Sequence, residues 1–521
     1  MQRLGFLILF LMAGIISSVA QDATVKQIIN MGRDDNQVMN HLDILSNRFG
    51  GRPVGSDAYI NATEWVAHKF KSWGLEVELH EAGTMHVGFN RGPWFGRMLG
   101  GEQAMNLHFV TPSYSSGTKG LQRGHVLMEP RSLAEFERMR GALKGAWVLV
   151  TGTNSGWEID YSPKGDSMRA DIRAKNDEIR KKNEEISKRN AEQAKRNAAK
   201  NDKDTLIALI EEPPALFFKE MREAGILGII QSAPVPLVAL YDRCVVKNPE
   251  ITFDKLPEIP DIKLNEHQYK IIEQMVKERR VFELEFDIRN HFKMGPIKYY
   301  SVIGKLQGTE FPDECVMLSA HLDAFDVATG GVDCGSGMSS VMEAARLVSQ
   351  TGAKPKRTML FVAFAAEEFG LLGAQAWAKT YADKLDKMSY LFNRDGGPLP
   401  PVAITVTEAM YDDFKRICEP VNSINPEIPF EVKKGGPFSK PERLAGTDAS
   451  VFAMQGVPAA SLEERDIKGY NFNYREIWHT ERDLYTKSIP EYQKHAATVM
   501  AVIGWGVATL DHQLSREGLY K

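Results

Sequence analysis

The chain has 521 residues, 43% of them hydrophobic and 25% charged, with a formal net charge of −4. That is the composition of a globular protein large enough for two or three domains. A charge so close to balance leaves out the basic surface of a nucleic-acid-binding protein, and no nucleic-acid partner is expected.

The N-terminal stretch MQRLGFLILFLMAGIISSVAQ has Arg3, an apolar run from Leu4 to Ile16, and then SSVA. This order predicts a secretory signal peptide over residues 1–20, cut after Ala20. The run is short for a membrane anchor, and no later segment reaches about 18 apolar residues. An exported chain without a membrane span is therefore expected, periplasmic or secreted according to the host. No cysteine lies near the cut, which argues against a lipid-anchored product. The four cysteines, Cys244, Cys315, Cys334 and Cys418, show no spacing that suggests a disulfide framework.

Residues 21–105 read as the N-terminal part of the main domain. A helix, the turn FGGRPVGS, a second helix over NATEWVAHKFKSWG and the strand LEVELHEA follow in order, with Gly74 closing the second helix. Residues 106–295 read as a β-rich insert. GHVLMEP, AWVLVTG and ILGIIQSA have strand texture, and LFFKEMREAG is a helix stopped by Gly225.

Inside the insert, residues 168–203 form a charged helical arm. IRAKNDE, IRKKNEE, ISKRNAE and QAKRNAA repeat every seven residues, with Asn176, Asn183, Asn190 and Asn197 in phase and Ile172, Ile179 and Ile186 between them. Asparagine at every a position weakens a coiled coil. A solvated arm is the plainer reading and a self-association arm the alternative.

From residue 296 to 521 strands and helices alternate. CVMLSA, TMLFVAFAA, MSYLFN and AITVTEA are strands, GMSSVMEAARLVSQ and LLGAQAWAKTYADK are helices, and EYQKHAATVMAVIGWGVATL closes the chain as an apolar helix. This predicts an α/β fold, a mostly parallel sheet with helices on both faces, whose ligands sit outside the carboxyl ends of the strands.

The ionisable residues fall at those ends. His321 and Asp323 follow CVMLSA, Glu367 and Glu368 follow TMLFVAFAA, and Asp395 follows MSYLFN. Asp333 opens the turn before the next helix, and His479 lies in the polar loop WHTERD. Taken singly, each has an ordinary explanation: a surface histidine, a helix-start glutamate pair, an N-cap aspartate. Together they are costly to bury, because carboxylates lose solvation and repel one another. Only Arg394 lies nearby to offset them, so a divalent metal is the simplest compensation. Mixed histidine and carboxylate donors suit zinc and allow manganese or cobalt, and the spacing supports two ions. Asp323 can orient His321 from behind. Of the adjacent Glu367 and Glu368, one can ligate metal while the other serves as general base.

HLDAFD, GGVDCGSG, AAEEFGLLGA, NRDGG, GTDASVFAMQGVPAASL and WHTERD resemble the di-zinc aminopeptidase and glutamate carboxypeptidase family, and within it the carboxypeptidase Q group. The resemblance covers residues 40–80 and 295–515. LKGAWVLVTG and KEMREAGILGIIQSA resemble, less specifically, the protease-associated domain that such proteins carry as an insert. The resemblance implies one zinc on His321 and Asp395, a second on Glu368 and His479, and Asp333 bridging both. It makes Glu367 the general base, keeps Asp323 behind His321, puts Asp448 close to the site without an assigned role, and implies a homodimer.

The residue after the bridging aspartate is usually Asn or Asp in that family; here it is Cys334. Either its side chain points away and fills space, or it is a soft ligand or redox-sensitive thiol beside the metal. The expected activity is hydrolysis of dipeptides or short peptides from a free N-terminus. The alternatives are zinc acyl transfer of the glutaminyl cyclase kind and a non-catalytic binding role on the same fold, as in the transferrin receptor.

Overall fold

The structure is a computed structural model and describes residues 23–100, 104–200, 205–211, 216–460 and 462–521. The expected signal peptide lies outside the described residues. The chain divides into two compact units, one comprising the described residues up to Asn90 together with Phe292–Lys521, the other Arg91–His291. The sequence reading put these junctions near residues 105 and 295. The first moves to 90 because Trp94–Leu99 pairs antiparallel with Glu283–Ile288 inside the second unit. That pairing joins residues nearly two hundred positions apart, so no local composition marks it.

The first unit is built on a six-stranded sheet. Its strands are β1 (Glu76–Asn90), β2 (His291–Leu306), β3 (Phe311–His321), β4 (Arg357–Phe364), β5 (Met388–Asn393) and β6 (Ala459–Ala460), in the order β1-β2-β4-β3-β5-β6. β3 runs parallel to β4 and β5, β5 runs parallel to β6, and β2 is antiparallel to β4. Every residue of β4 and β5 is buried, which explains their continuous apolar texture. Met317, Val362, Trp377 and Phe452 pack in the core on one face. On the other, helices α1 (Gly335–Gln350) and α2 (Pro490–Ala508) pack together and against β3. α2 comes so near that a Cβ on Gly504 would lie 2.8 Å from Leu318 Cδ1.

The register aligns the carboxyl ends: His321 stands opposite Phe364, and Ser319 opposite Asn393. One edge of the sheet thus carries the loops that follow β3, β4 and β5.

The second unit holds a four-stranded and a five-stranded sheet. In the larger, Val126–Met128, Trp147–Thr153, Gly228–Ala233 and Asp261–Asn265 are successively parallel. Parallel neighbours require crossover connections, and Leu133–Leu143 and Phe218–Glu223 lie within them.

The arm helix spans Pro163–Lys200. Its asparagine repeat has a use that the sequence reading did not foresee. Asn183 Nδ2 donates to the Ile210 carbonyl (2.8 Å) and its Oδ1 accepts from the Ile210 N–H (2.8 Å). Asn190 does the same with Ile207, at 2.7 and 2.9 Å. Each amide reads both polar groups of one peptide residue. Seven helical residues rise about 10.5 Å, and three extended residues span about 10 Å, so an asparagine every seventh position meets every third residue of a strap. The strap runs antiparallel to the helix. Replacing Asn190 by Ala is expected to speed amide hydrogen exchange at Ile207 by at least about tenfold, while global unfolding by urea is little changed. Unaltered exchange at Ile207 would mean the side chain does not hold the strap.

Candidate metal centre

The site starts from the ends of three neighbouring parallel strands. His321 is the last residue of β3, Glu367 and Glu368 follow β4, and Asp395 follows β5. Asp333 lies in the turn that opens α1, and His479 reaches in from the loop before α2, with a backbone φ of 58°. All five expected ligands come together. His321 Nε2 lies 3.0 Å from Asp395 Oδ1 and 3.2 Å from Asp333 Oδ1. His479 Nε2 lies 2.9 Å from Glu368 Oε2 and 3.6 Å from Asp333 Oδ2. Asp333 therefore turns one oxygen toward each imidazole. Donor atoms of His321, Asp333 and Glu368 all fall within 4.8 Å of one another.

Asp323 faces His321 Nδ1 with two groups. Its main-chain carbonyl is 3.0 Å from His321 Nδ1, while its nearer carboxylate oxygen is 3.6 Å away. The carboxylate also accepts the N–H groups of Glu367 and Glu368, at 3.1 and 3.2 Å. It thereby fastens the β4 loop to the β3 loop. Ala366, with φ 53°, turns the chain just before the glutamate pair.

Cys334 does not point away from the cluster. Its Sγ shares a 4.8 Å group with a ring nitrogen of His321 and a carboxylate oxygen of Asp395. It also donates to the Arg394 carbonyl at 3.2 Å, and burial pushes the thiol up to about 11. A Cβ on Gly337 would lie 2.0 Å from that same carbonyl and 2.5 Å from Sγ, so only glycine fits there.

The electrostatics are those of an anion cluster short of positive charge. Burial, reinforced by the neighbouring Asp333, holds Glu368 well above the usual carboxylate range. Burial pushes Glu367 up to about 11, with His321 opposing and Asp395, Glu368 and Asp448 adding to it. Burial opposes a charged His321, but Cys334, Asp395, Asp323 and Asp333 outweigh it and hold that imidazole well above its ordinary value. Against burial, His321, His479 and Arg52 lower the Asp333 carboxyl, so the nearby guanidiniums offset the cluster only in part. Arg394 pairs with Glu464 and donates to the Leu399 carbonyl. Arg52 is spent on main-chain carbonyls. Glu368 Oε1 and both carboxylate oxygens of Asp448 are buried without a hydrogen-bond partner. Orphaned oxygens beside two imidazoles are the donor set a divalent cation completes, and nitrogen with oxygen suits zinc.

Two residues that the sequence reading passed over hold the site in shape. Arg52, fully buried, donates from Nε to the Leu322 carbonyl at 2.6 Å and from Nη1 to the Gly50 and Thr329 carbonyls at 3.1 and 3.2 Å. It links the loops of His321 and Asp333. Asp483 accepts the Val332 N–H at 2.6 Å and the Asp333 N–H at 3.3 Å, tying the His479 loop to Asp333. Both stood in quoted motifs, FGGRPVGS and WHTERD. Their partners are backbone atoms distant in sequence, so only their place in glycine-rich or polar loops hinted at a role.

The fold and the site define an α/β domain organised around a histidine–carboxylate metal pocket. Residues 301–503 match the profile of peptidase family M28. Over 321 residues the chain is 28% identical to carboxypeptidase Q of Mus musculus, an alignment covering 59% of this chain and 64% of the relative. With carboxypeptidase Q of Rattus norvegicus the identity is 32% over 231 residues, 43% of this chain and 46% of the relative. The chain thus spans between about half and just under two thirds of the length of these relatives. Among solved structures, a peptidase M28 precursor from Shewanella amazonensis has a TM-score of 0.58 at 20% identity, covering 96% of this chain and 99% of its own. The zinc aminopeptidase BSAP from Bacillus subtilis has a TM-score of 0.51 at 14% identity, covering 93% and 97%. At these identities the likeness is one of fold.

Two outcomes follow from the geometry. Arg52→Met is expected to lower unfolding free energy by about 3 kcal/mol or more in urea titration, because it strands several buried carbonyls at once. Adding zinc to chelator-stripped protein is expected to raise the thermal midpoint; at one hundred times Kd a single site contributes about 2.7 kcal/mol. A midpoint insensitive to zinc would mean the donor set does not bind it.

Proposed function

We propose that the chain is an exported zinc metallopeptidase that hydrolyses dipeptides or short peptides from a free N-terminus, as an aminopeptidase or dipeptidase. The M28 match over residues 301–503 and the likeness to carboxypeptidase Q support peptide hydrolysis. The observation that carries the reading is Asp333, with its two oxygens turned toward two separate imidazole–carboxylate pairs. In this reading His321 and Asp395 hold one zinc, Glu368 and His479 hold a second, and Asp333 serves both. Manganese or cobalt fits the same donors. Bound zinc supplies an acidified water and a polarised substrate carbonyl.

The remaining work belongs to side chains. Glu367 makes no hydrogen bond to either imidazole, and burial and its carboxylate neighbours hold its proton. Positive charge in the pocket reverses that balance and frees it as a carboxylate base. It then takes one proton from the attacking water and returns it to the leaving amine nitrogen. The Asp323 carboxylate keeps Glu367 and Glu368 in place through their N–H groups. The Tyr474 phenol, pushed far up by burial and by Asp333 and Asp395, stays a hydrogen-bond donor at any ordinary pH. An acid-rich pocket favours a substrate ammonium, which is the basis for preferring a free N-terminus. The pattern at residues 1–20 supports export. Among the described residues no helix is long and apolar enough to cross a membrane.

Free dipeptides are expected to be cleaved and N-blocked ones spared, with activity lost to chelator and restored by zinc. Cleavage of neither, with zinc bound, would sink the peptidase reading. Glu367→Gln is expected to retain zinc by elemental analysis yet lose about 10²- to 10⁴-fold in kcat. His479→Ala is expected instead to lower the zinc content, and full occupancy in that variant would remove it from the ligand set.

A further inference from the structure

The strap on the arm helix presents a feature that peptide hydrolysis does not use. Residues 205–211 read TLIALIE, and their backbone is clamped at Ile207 and Ile210 by Asn190 and Asn183. The clamp fixes the strap but leaves its side chains outside. Leu206, Ile207, Leu209 and Ile210 are 49%, 51%, 57% and 42% exposed. Four large aliphatic side chains in five consecutive positions make a continuous apolar ridge. An ordinary loop of a secreted enzyme has no reason to keep such a ridge in water.

Basic side chains border the ridge, while the strap itself carries the exposed Glu211 next to Ile210. The seven-residue repeat that lines up the asparagines also lines up Lys182, Arg189 and Arg196, each one position before an asparagine and each exposed. Across the asparagine row, Ser187, Ala191, Ala194 and Ala198 are exposed and uncharged, and the same rows carry Asp177, Glu184 and the Asp177-paired Arg180 toward the start of the helix. Glu178, Glu185 and Glu192 share a row of their own on the far side of the helix. An apolar ridge with a row of lysine and arginine along its flank is the pattern of a segment lying in a membrane interface. The aliphatic side chains enter the acyl boundary while lysine and arginine meet anionic headgroups.

We propose that the arm, through the 205–211 strap and the basic row Lys182, Arg189 and Arg196, docks the protein on an anionic phospholipid surface. The asparagine clamp matters to this because it displays the ridge on a rigid helix. Ordering the strap in advance removes an entropy cost that a free loop would meet on binding.

The test is co-sedimentation of the full-length mature chain with phosphatidylglycerol–phosphatidylcholine vesicles and with phosphatidylcholine vesicles alone, at low and high salt. Binding is expected to the anionic vesicles, weakened by salt. The double variant Leu206→Lys/Leu209→Lys is expected to lose it. Lys182→Glu/Arg189→Glu, which changes only exposed positions, is expected to weaken it by at least about fivefold per charge. Circular dichroism and thermal unfolding of each variant establish that the chain still folds. Absence of binding to either vesicle, or equal binding to both, overturns the proposal. So does a concentration-dependent dimer, seen by analytical ultracentrifugation, that the leucine variants abolish while vesicle binding is absent, since the ridge would then be covered by a second copy of the chain.

Discussion

The crowding of carboxylates at the carboxyl edge of the main sheet is the constraint from which the rest of this structure follows. Two like charges about 4 Å apart repel by about 4 kcal/mol at the effective dielectric of a protein site. Asp333, Glu368 and Asp395 stand around two imidazoles in a buried pocket, and Glu367 and Asp448 lie close behind. Such a group does not hold itself together. It persists because each loop is tied by backbone hydrogen bonds that do not depend on the charge state of the ligands. Asp323 takes the N–H groups of the glutamate pair, Asp483 takes those at Val332 and Asp333, and Arg52 takes carbonyls from both sides of the pocket. The scaffold pre-pays the repulsion so that cationic charge, when it enters, meets donors already in position.

The same economy of backbone recognition recurs in the second unit. An asparagine amide sets a donor nitrogen beside an acceptor oxygen, which complement the carbonyl and N–H of a single peptide residue. Repeated every seven residues along a helix, it keeps an extended strap in register without any sheet. The asparagines thus give up coiled-coil stability for a two-point hold on an extended chain. The isoleucines between them, Ile179 and Ile186, are half-buried.

Much of the first unit was legible before any coordinates. Strand–helix alternation after residue 296 is local, and buried parallel strands must be continuously apolar, so β3, β4 and β5 announce themselves. Since the register of parallel strands aligns their ends, residues just past each strand meet at one edge, which made His321, the Glu367–Glu368 pair and Asp395 candidates, while the resemblance singled out Glu368 as the ligand. His479 and Asp333 belong to loops whose approach depends on tertiary packing, and it was resemblance rather than pattern that assigned them. The junction at residue 90 was missed because Trp94–Leu99 finds its partner at Glu283–Ile288, and the texture of a strand does not say which strand it will join.

What the sequence by itself determined is the set of chemical groups, the strands that carry most of them and the helical phase of the arm. Each of these depends on residues within a few positions of one another. What only the tertiary structure decided is where long-range polar partners go. Cys334 lies toward His321 and Asp395 because Gly337 lets the Arg394 carbonyl approach closely. Asp323 sets its carbonyl closest to His321 while its carboxylate also holds the next loop. The asparagine repeat became a clamp because an extended segment folded back along the helix. Hydrogen-bond partners far apart in the chain leave no periodicity behind, and only folding brings them within 3 Å of one another.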